Sequence, residues 1–415
     1  MKKIFILSYY IIGLSISENI SAQNHMISLS SGYEKQSFFS MNDGEISSIN
    51  NMNWDIAFSI DPYISSIRIN DGHGVELYTY EQGDTSSWNS INNSAISNLS
   101  SPMYNSDTSW FIGAFDANQL GHPDYGWGTY NMATHYVTGD SLFIIKTLNG
   151  DWKKLWIVEM GGGSYKFRYA NLDGSNEINQ SISKTNYNGK HFVYFSIDQG
   201  LTVDREPLNN SWDVTFTKYI SMVQGTPYAV TGVLHNAGVK VAKAENISSP
   251  FSYVDYSLHS LETEINTIGY NWKTFDMQSF NYILDPNLCY FIKDLSGNIY
   301  RLIFTAFEGT STGNIEFNVE NIFSTENQEK TKENFSLLTY PNPTNHDMTL
   351  VYDVTKHIDN ITITDVLGNT VYEKQVELNG FDTFILPTSL LKKGIYFVSL
   401  NRGLHQQMTK TIIRL

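Results

Sequence analysis

A single cysteine, Cys289, stands in 415 residues. That excludes an intramolecular disulfide and any zinc site built on cysteines. Cys289 lies in the apolar run Asn287-Leu288-Cys289-Tyr290-Phe291-Ile292 and reads as a buried, inert thiol. Charge is scarce as well. Only 17% of residues are charged, and 27 basic residues face 42 acidic ones for a net charge of -15. The chain lacks the basic face that phosphates require, so nucleic acid is excluded as a partner and adsorption to an anionic membrane is not expected. The usual catalytic signatures are missing: no His-Glu-x-x-His helix, no Gly-x-Ser-x-Gly elbow, no phosphate loop. Gly161-Gly162-Gly163 has no helix after it and reads as a loop. Asp71-Gly72-His73-Gly74 lacks the further carboxylates of a calcium loop. No catalytic residue and no metal set is assigned, and the chain reads as a non-enzyme.

Beyond the first residues no apolar run reaches membrane-spanning length. At the start, Lys2 and Lys3 precede a nearly continuous apolar stretch from Ile4 to Ile16, followed by Ser21-Ala22-Gln23. This is the pattern of a secretory signal peptide over 1–23, with a mature start near Gln23 or Asn24. No cysteine follows it, so a lipid anchor is not expected.

Aromatic residues make up 14% of the chain, with 26 Tyr and 23 Phe. Tyr and Phe favour half-buried pleated surfaces, while the many Asn and Ser favour turns, so the expectation is all-β. The β segments repeat. Asn53-Trp54-Asp55-Ile56-Ala57-Phe58 returns as Ser211-Trp212-Asp213-Val214-Thr215-Phe216. A strand-like segment precedes each, Gln36–Ser40 and Phe192–Ser196, and a turn follows each, Asn70-Asp71-Gly72 and Asn236-Ala237-Gly238. Gly126–Met132 matches Gly269–Phe275, and Leu142–Lys146 matches Cys289–Lys293. The Gly-containing turns at 148–152 and 295–299 then lead into paired final strands. Two tandem units are expected, at 24–183 and 184–323. Trp54 and Trp212 read as core anchors, with Asp55 and Asp213 satisfying backbone donors.

Residues 324–334 carry no apolar side chain and read as a linker. Short strands with hairpin turns follow over 335–415, the pattern of a small β-sandwich.

The motifs of this last stretch are Tyr340-Pro341-Asn342-Pro343-Thr344, Asp365-Val366-Leu367-Gly368-Asn369, Leu391–Phe397 and the tail Thr409–Leu415. They resemble the type A C-terminal sorting domain of type IX secretion. The resemblance implies a cargo module recognised by that secretion machinery, and a protein delivered through the periplasm and across the outer membrane to the cell surface or the medium. The Trp-Asp-Ile-Ala-Phe block at 54–58, the Asn-x-Gly turn at 70–72 and the late strand–turn–strand signature resemble the HmuY family of haem-binding proteins, here in two copies. That resemblance implies an all-β fold and haem held between axial His or Met side chains on protruding loops, with an outer-membrane receptor as partner. On this reading His122 and His135 are the candidate haem ligands of the first unit, and His259 and Met277 those of the second. The alternative is a non-enzymatic surface protein that binds protein or glycan through its aromatic residues, without haem.

Overall fold

The computed structural model describes residues 22–324, 336–402 and 405–415. All but the last two residues of the expected leader, and all but Ser324 of the expected linker, lie outside the described residues. The fold is all-β, as expected, with short 3-10 helices between strands. No helix among the described residues is long and apolar enough to cross a membrane. The chain divides after Phe323 into two compact units.

Alternation drives the strands. In Ser164–Asn171, Tyr165, Phe167 and Tyr169 enter the core, while on the other face Lys166 is exposed and Arg168 lies between the Trp88 and Trp156 rings. The hairpin turns fall where glycine stands. Gly150 and Gly297 both take φ 90°, a left-handed conformation that glycine adopts without a Cβ clash.

Within the first unit the repeat is real, but the compact bodies do not follow its order along the chain. The Phe192–Ser196 strand, which opens the second copy in sequence, pairs with Ile56–Ser59 of the first. The Lys35–Ser40 strand, which opens the first copy, pairs with Val214–Val223 of the second. Likewise Gln23–Ser28, at the start of the first copy, joins Asn314–Phe323 at the end of the second. The two buried cores confirm the exchange. One contains Val193, Phe195 and Ile197 beside Ile56, Phe58 and Phe167. The other contains Ile27, Leu29, Phe39 and Met41 beside Val214, Phe216 and Phe317.

The first body is therefore one run of chain, from about Trp54 through the Leu201–Val203 strand. The second is built from about Trp212 to Phe323 and is closed by the N-terminal strands. This corrects the boundaries 24–183 and 184–323. The opening strands of the two copies are similar in pattern, and the chain uses the crossed pairing.

The equivalence of the bodies is detailed. Each has a four-stranded sheet in the same order: Leu201–Val203, Phe192–Ser196, Ile56–Ser59, Ile67–Ile69 in one, and Gly44–Asn50, Lys35–Ser40, Val214–Val223, Thr226–His235 in the other. Trp54 packs edge-on against Tyr194 at 4.9 Å, and Trp212 against Phe38 at 5.1 Å. Asn70 Nδ2 donates to the carbonyls of Asn51 and Trp54, and Asn236 Nδ2 to those of Asn209 and Trp212. The bodies meet at Trp110, whose Nε1 donates to the His235 carbonyl at 2.8 Å and whose ring lies 6.2 Å from that of Trp212.

The C-terminal unit is a five-stranded antiparallel sheet over its own buried cluster, which includes Leu350, Ile363, Val398 and Ile412. Two of its strands, Met348–Asp365 and Thr370–Leu386, are each continuous where the sequence suggests two short ones. Register shifts near Val354/Ile358 mark the point where the sequence pattern breaks.

Candidate functional site

In each body a small hairpin follows a buried tryptophan: Gly128–Asn131 with Tyr136–Gly139 after Trp127, and Lys273–Asp276 with Asn281–Leu284 after Trp272. The tips share one construction. Asn131 Oδ1 accepts from the backbone of Ala133 and Thr134, and the Asp276 carboxylate accepts from Gln278 and Ser279. His135 and Phe280 then occupy the same left-handed position, at φ 60° and 55°. Beside each hairpin lies a cleft.

The cleft of the first body encloses about 670 Å³ and is lined by both His122 and His135. Its apolar wall comes from Ile60, Val137 and Met160, and its rim from Tyr63, Tyr125 and Tyr130. The loop carrying His122 is fixed by Asp124, whose carboxylate accepts from Leu120 N and Gly126 N, and by a hydrogen bond from Tyr130 N to the Pro123 carbonyl. The structure thus brings together the two histidines singled out in sequence.

Sequence reasoning missed Tyr130, the neighbour they share. Its hydroxyl is 2.7 Å from His135 Nδ1, and its ring is 5.3 Å from that of His122. Lys184, also missed, lines the same cleft. Its Nζ donates to the carbonyls of Asp61 and Ile64, and it lies over the Tyr165 ring at 4.9 Å. Burial pushes the Lys184 ammonium down to about 8.

His259 and Met277 are not brought together in this way. His259 hydrogen-bonds the Tyr253 hydroxyl through Nε2 and packs against Phe291 on the far sheet. Met277 stands 72% exposed at the hairpin tip. Neither lines the cleft of the second body, so as a ligand pair they are corrected. The reason is the repeat itself. Met277 occupies the tip position of Met132, outside the cleft, and the positions of Tyr130 and His135 hold Phe275 and Phe280.

Asp55 and Asp213 have the structural role expected of them. The Asp55 carboxylate accepts from Leu148 N and Ile197 N at 2.8 and 2.7 Å, and Asp213 accepts from Met41 N at 2.7 Å. Burial raises both to about 6. These bonds clamp the exchanged strands. Cys289 is fully buried, and burial pushes its thiol up to about 11.

In the C-terminal unit the motif asparagine Asn342 holds the last strand. Its Nδ2 donates to the Thr411 carbonyl and its Oδ1 accepts from Ile413 N. Residues 338–414 match the family described as the secretion system C-terminal sorting domain, and this module belongs to it. The chain is therefore exported across the outer membrane, to the cell surface or the medium.

None of the curated proteins compared with the chain matches it. Two solved structures show a weak likeness. One is PorZ of Porphyromonas gingivalis, described as an essential bacterial surface component of the type-IX secretion system. It shares 10% identity over 69% of this chain and 44% of its own, with a TM-score of 0.16. The other is dimeric latent PorU of Porphyromonas gingivalis, with 10% identity over 94% of this chain, 34% of its own and a TM-score of 0.17. The chain spans less than half the length of either, and scores this low carry no inference about its fold or role.

Proposed function

We propose that this is a non-enzymatic binding protein of the cell surface, that the cleft beside His122, Tyr130 and His135 is its ligand site, and that the ligand is haem, captured for an outer-membrane receptor. The observation that carries this reading is the convergence of two imidazoles and a phenol on one cleft, from a loop and a hairpin tip. Imidazole and phenolate both suit haem iron. A cleft of about 670 Å³ falls within the ~300–1,000 Å³ range of ligand pockets. Ile60, Val137 and Met160 offer the apolar wall a macrocycle needs, and Lys184 a positive charge for a carboxylate side group. His122, His135 or Tyr130 would hold the iron. The exported protein is titrated with haemin at micromolar concentration and followed by absorbance. A sharp, saturable Soret band that changes in His122→Ala or His135→Ala supports the reading. An unchanged spectrum in both variants removes the ligand assignment, and no binding by the wild type removes haem.

A second reading, adhesion to protein or glycan without haem, draws on the second cleft. It is walled by Tyr33, Tyr270, Tyr282 and Phe307, and no His or Met lines it. The same exported protein that ignores haemin but retains a partner through these aromatic side chains would fit this reading.

A further inference from the structure

We propose that the cleft of the second body is a site for a small organic anion with a flat, apolar body, such as an aryl carboxylate, and that Lys273 takes its charge. The proposal is independent of the ligand assigned to the first cleft. The second cleft encloses about 440 Å³ and is walled by aromatic side chains, among them Tyr228, Phe275, Tyr282 and Phe307. One cation lines it. Lys273 Nζ donates to the Thr231 carbonyl at 2.6 Å and more weakly to that of Tyr270 at 3.4 Å. It stands 4.1 Å from the centre of the Trp272 ring and 4.6 Å from that of Phe307. Among the described residues no carboxylate pairs with it.

An ammonium has three donors, and two are used. A half-buried cation with no counter-charge is costly, and an anion entering the cleft relieves that cost. Consistent with the missing counter-charge, burial alone pushes Lys273 down to about 7.

The first body supplies an independent observation. Its cleft also holds one lysine between two backbone carbonyls and an aromatic ring, there with the Asp61 carboxylate close enough to act on it although no ion pair forms among the described residues. Yet Lys184 is not the repeat equivalent of Lys273. Gly128 holds that position, and a Cβ there would come within 2.5 Å of the Thr138 carbonyl. The two clefts reach the same arrangement from different elements, so copying of the repeat does not account for the cation. A strut clipping the hairpin to Thr231 would need no cleft around it, and a neutral donor would serve.

The exported full-length protein is titrated by calorimetry at pH 6 with phenylacetate and with its neutral analogue phenylacetamide. Phenylacetate is expected to bind in the millimolar range or tighter, and the amide at least about tenfold more weakly. Lys273→Met should lose one equivalent of phenylacetate per chain, while Lys273→Arg keeps it. Equal binding of acid and amide overturns the proposal, as does full stoichiometry in Lys273→Met or no phenylacetate binding at millimolar concentration. The acid–amide comparison uses the unaltered protein, so it decides even if Lys273→Met does not fold.

Discussion

Phe39→Ala is expected to unfold the far half of the unit and spare the near half. Phe39 lies ahead of every residue of the first body, yet its ring is fully buried against Phe317 at 5.0 Å and Phe216 at 6.3 Å, both in the second. Truncating a buried phenylalanine costs ~3–5 kcal/mol. The whole stability of a domain is ~5–15 kcal/mol. The substitution therefore removes a large share of what holds the second body. The closing segment as a whole contributes Ile27, Leu29, Phe38, Phe39 and Met41 to buried positions. At ~1.5–3 kcal/mol each, their loss is comparable to a domain's whole stability, so deletion of 22–50 should leave the second body without a stable fold.

Hydrogen exchange read by mass spectrometry resolves the direction. Phe39→Ala should strip protection from 214–235 and 289–323 while 143–171 stays protected. Phe195→Ala should do the reverse, because Phe195 packs on Phe167 at 5.1 Å in the first body. If Phe39→Ala instead exposes 143–171 and leaves 289–323 protected, the crossed pairing is wrong.

Removing 336–415 should leave residues 22–323 folded and trapped in the periplasm, since the chain divides after Phe323 and the sorting module lies beyond it. Accumulation of the truncated protein at the surface at the wild-type level would refute this. His73 is pushed down to about 4, by burial first and then by Lys218 and Arg205. In the unfolded chain it titrates near 6.5. The unfolded state therefore binds its proton first, and the neutral histidine's contribution, complete above about 6.5, is lost as pH falls towards 4. At pH 5 the loss is ~2 kcal/mol, so His73→Gln should reduce the drop in urea midpoint between pH 7 and pH 5. An identical drop in the variant would mean that His73 does not titrate as stated.

The local elements were legible in the sequence because each has a period or a turn residue to announce it. Tyr165, Phe167 and Tyr169 alternate inward, and Gly150 and Gly297 mark matching turns. The Trp-Asp blocks identified the repeat, and the Asn342 and Asp365 motifs the sorting module. Strand partnership was not legible. Gln36–Ser40 and Phe192–Ser196 are equivalent in pattern, so nothing within either strand distinguishes its own copy from the other as a partner. The same limit applies to the cleft. His122 and His135 stand out as residue types, but Lys184 and Lys273 look like ordinary surface cations. Only the long-range approach of the Asp61, Ile64 and Thr231 carbonyls and of the Tyr165 and Phe307 rings encloses them. Tyr130 had a legible signal. It and His135 flank a short turn, which brings their side chains within reach of each other.

The two bodies separate what the fold fixes from what a ligand would read. The tryptophan before the hairpin, the capped tip and the left-handed position after it are common to both. Chemistry enters at a few positions that this frame leaves free. Tyr130 and His135 in one body are Phe275 and Phe280 in the other, so a phenol and an imidazole at the first cleft give way to Phe275 at the second, with Phe280 outside it. The cation survives this divergence although its residue does not. A buried ammonium costs stability wherever it sits without a counter-charge. At the second cleft Lys273 carries that cost with no carboxylate charge acting on it, whereas Asp61 acts on Lys184 at the first, so the case for an anion rests on the second cleft.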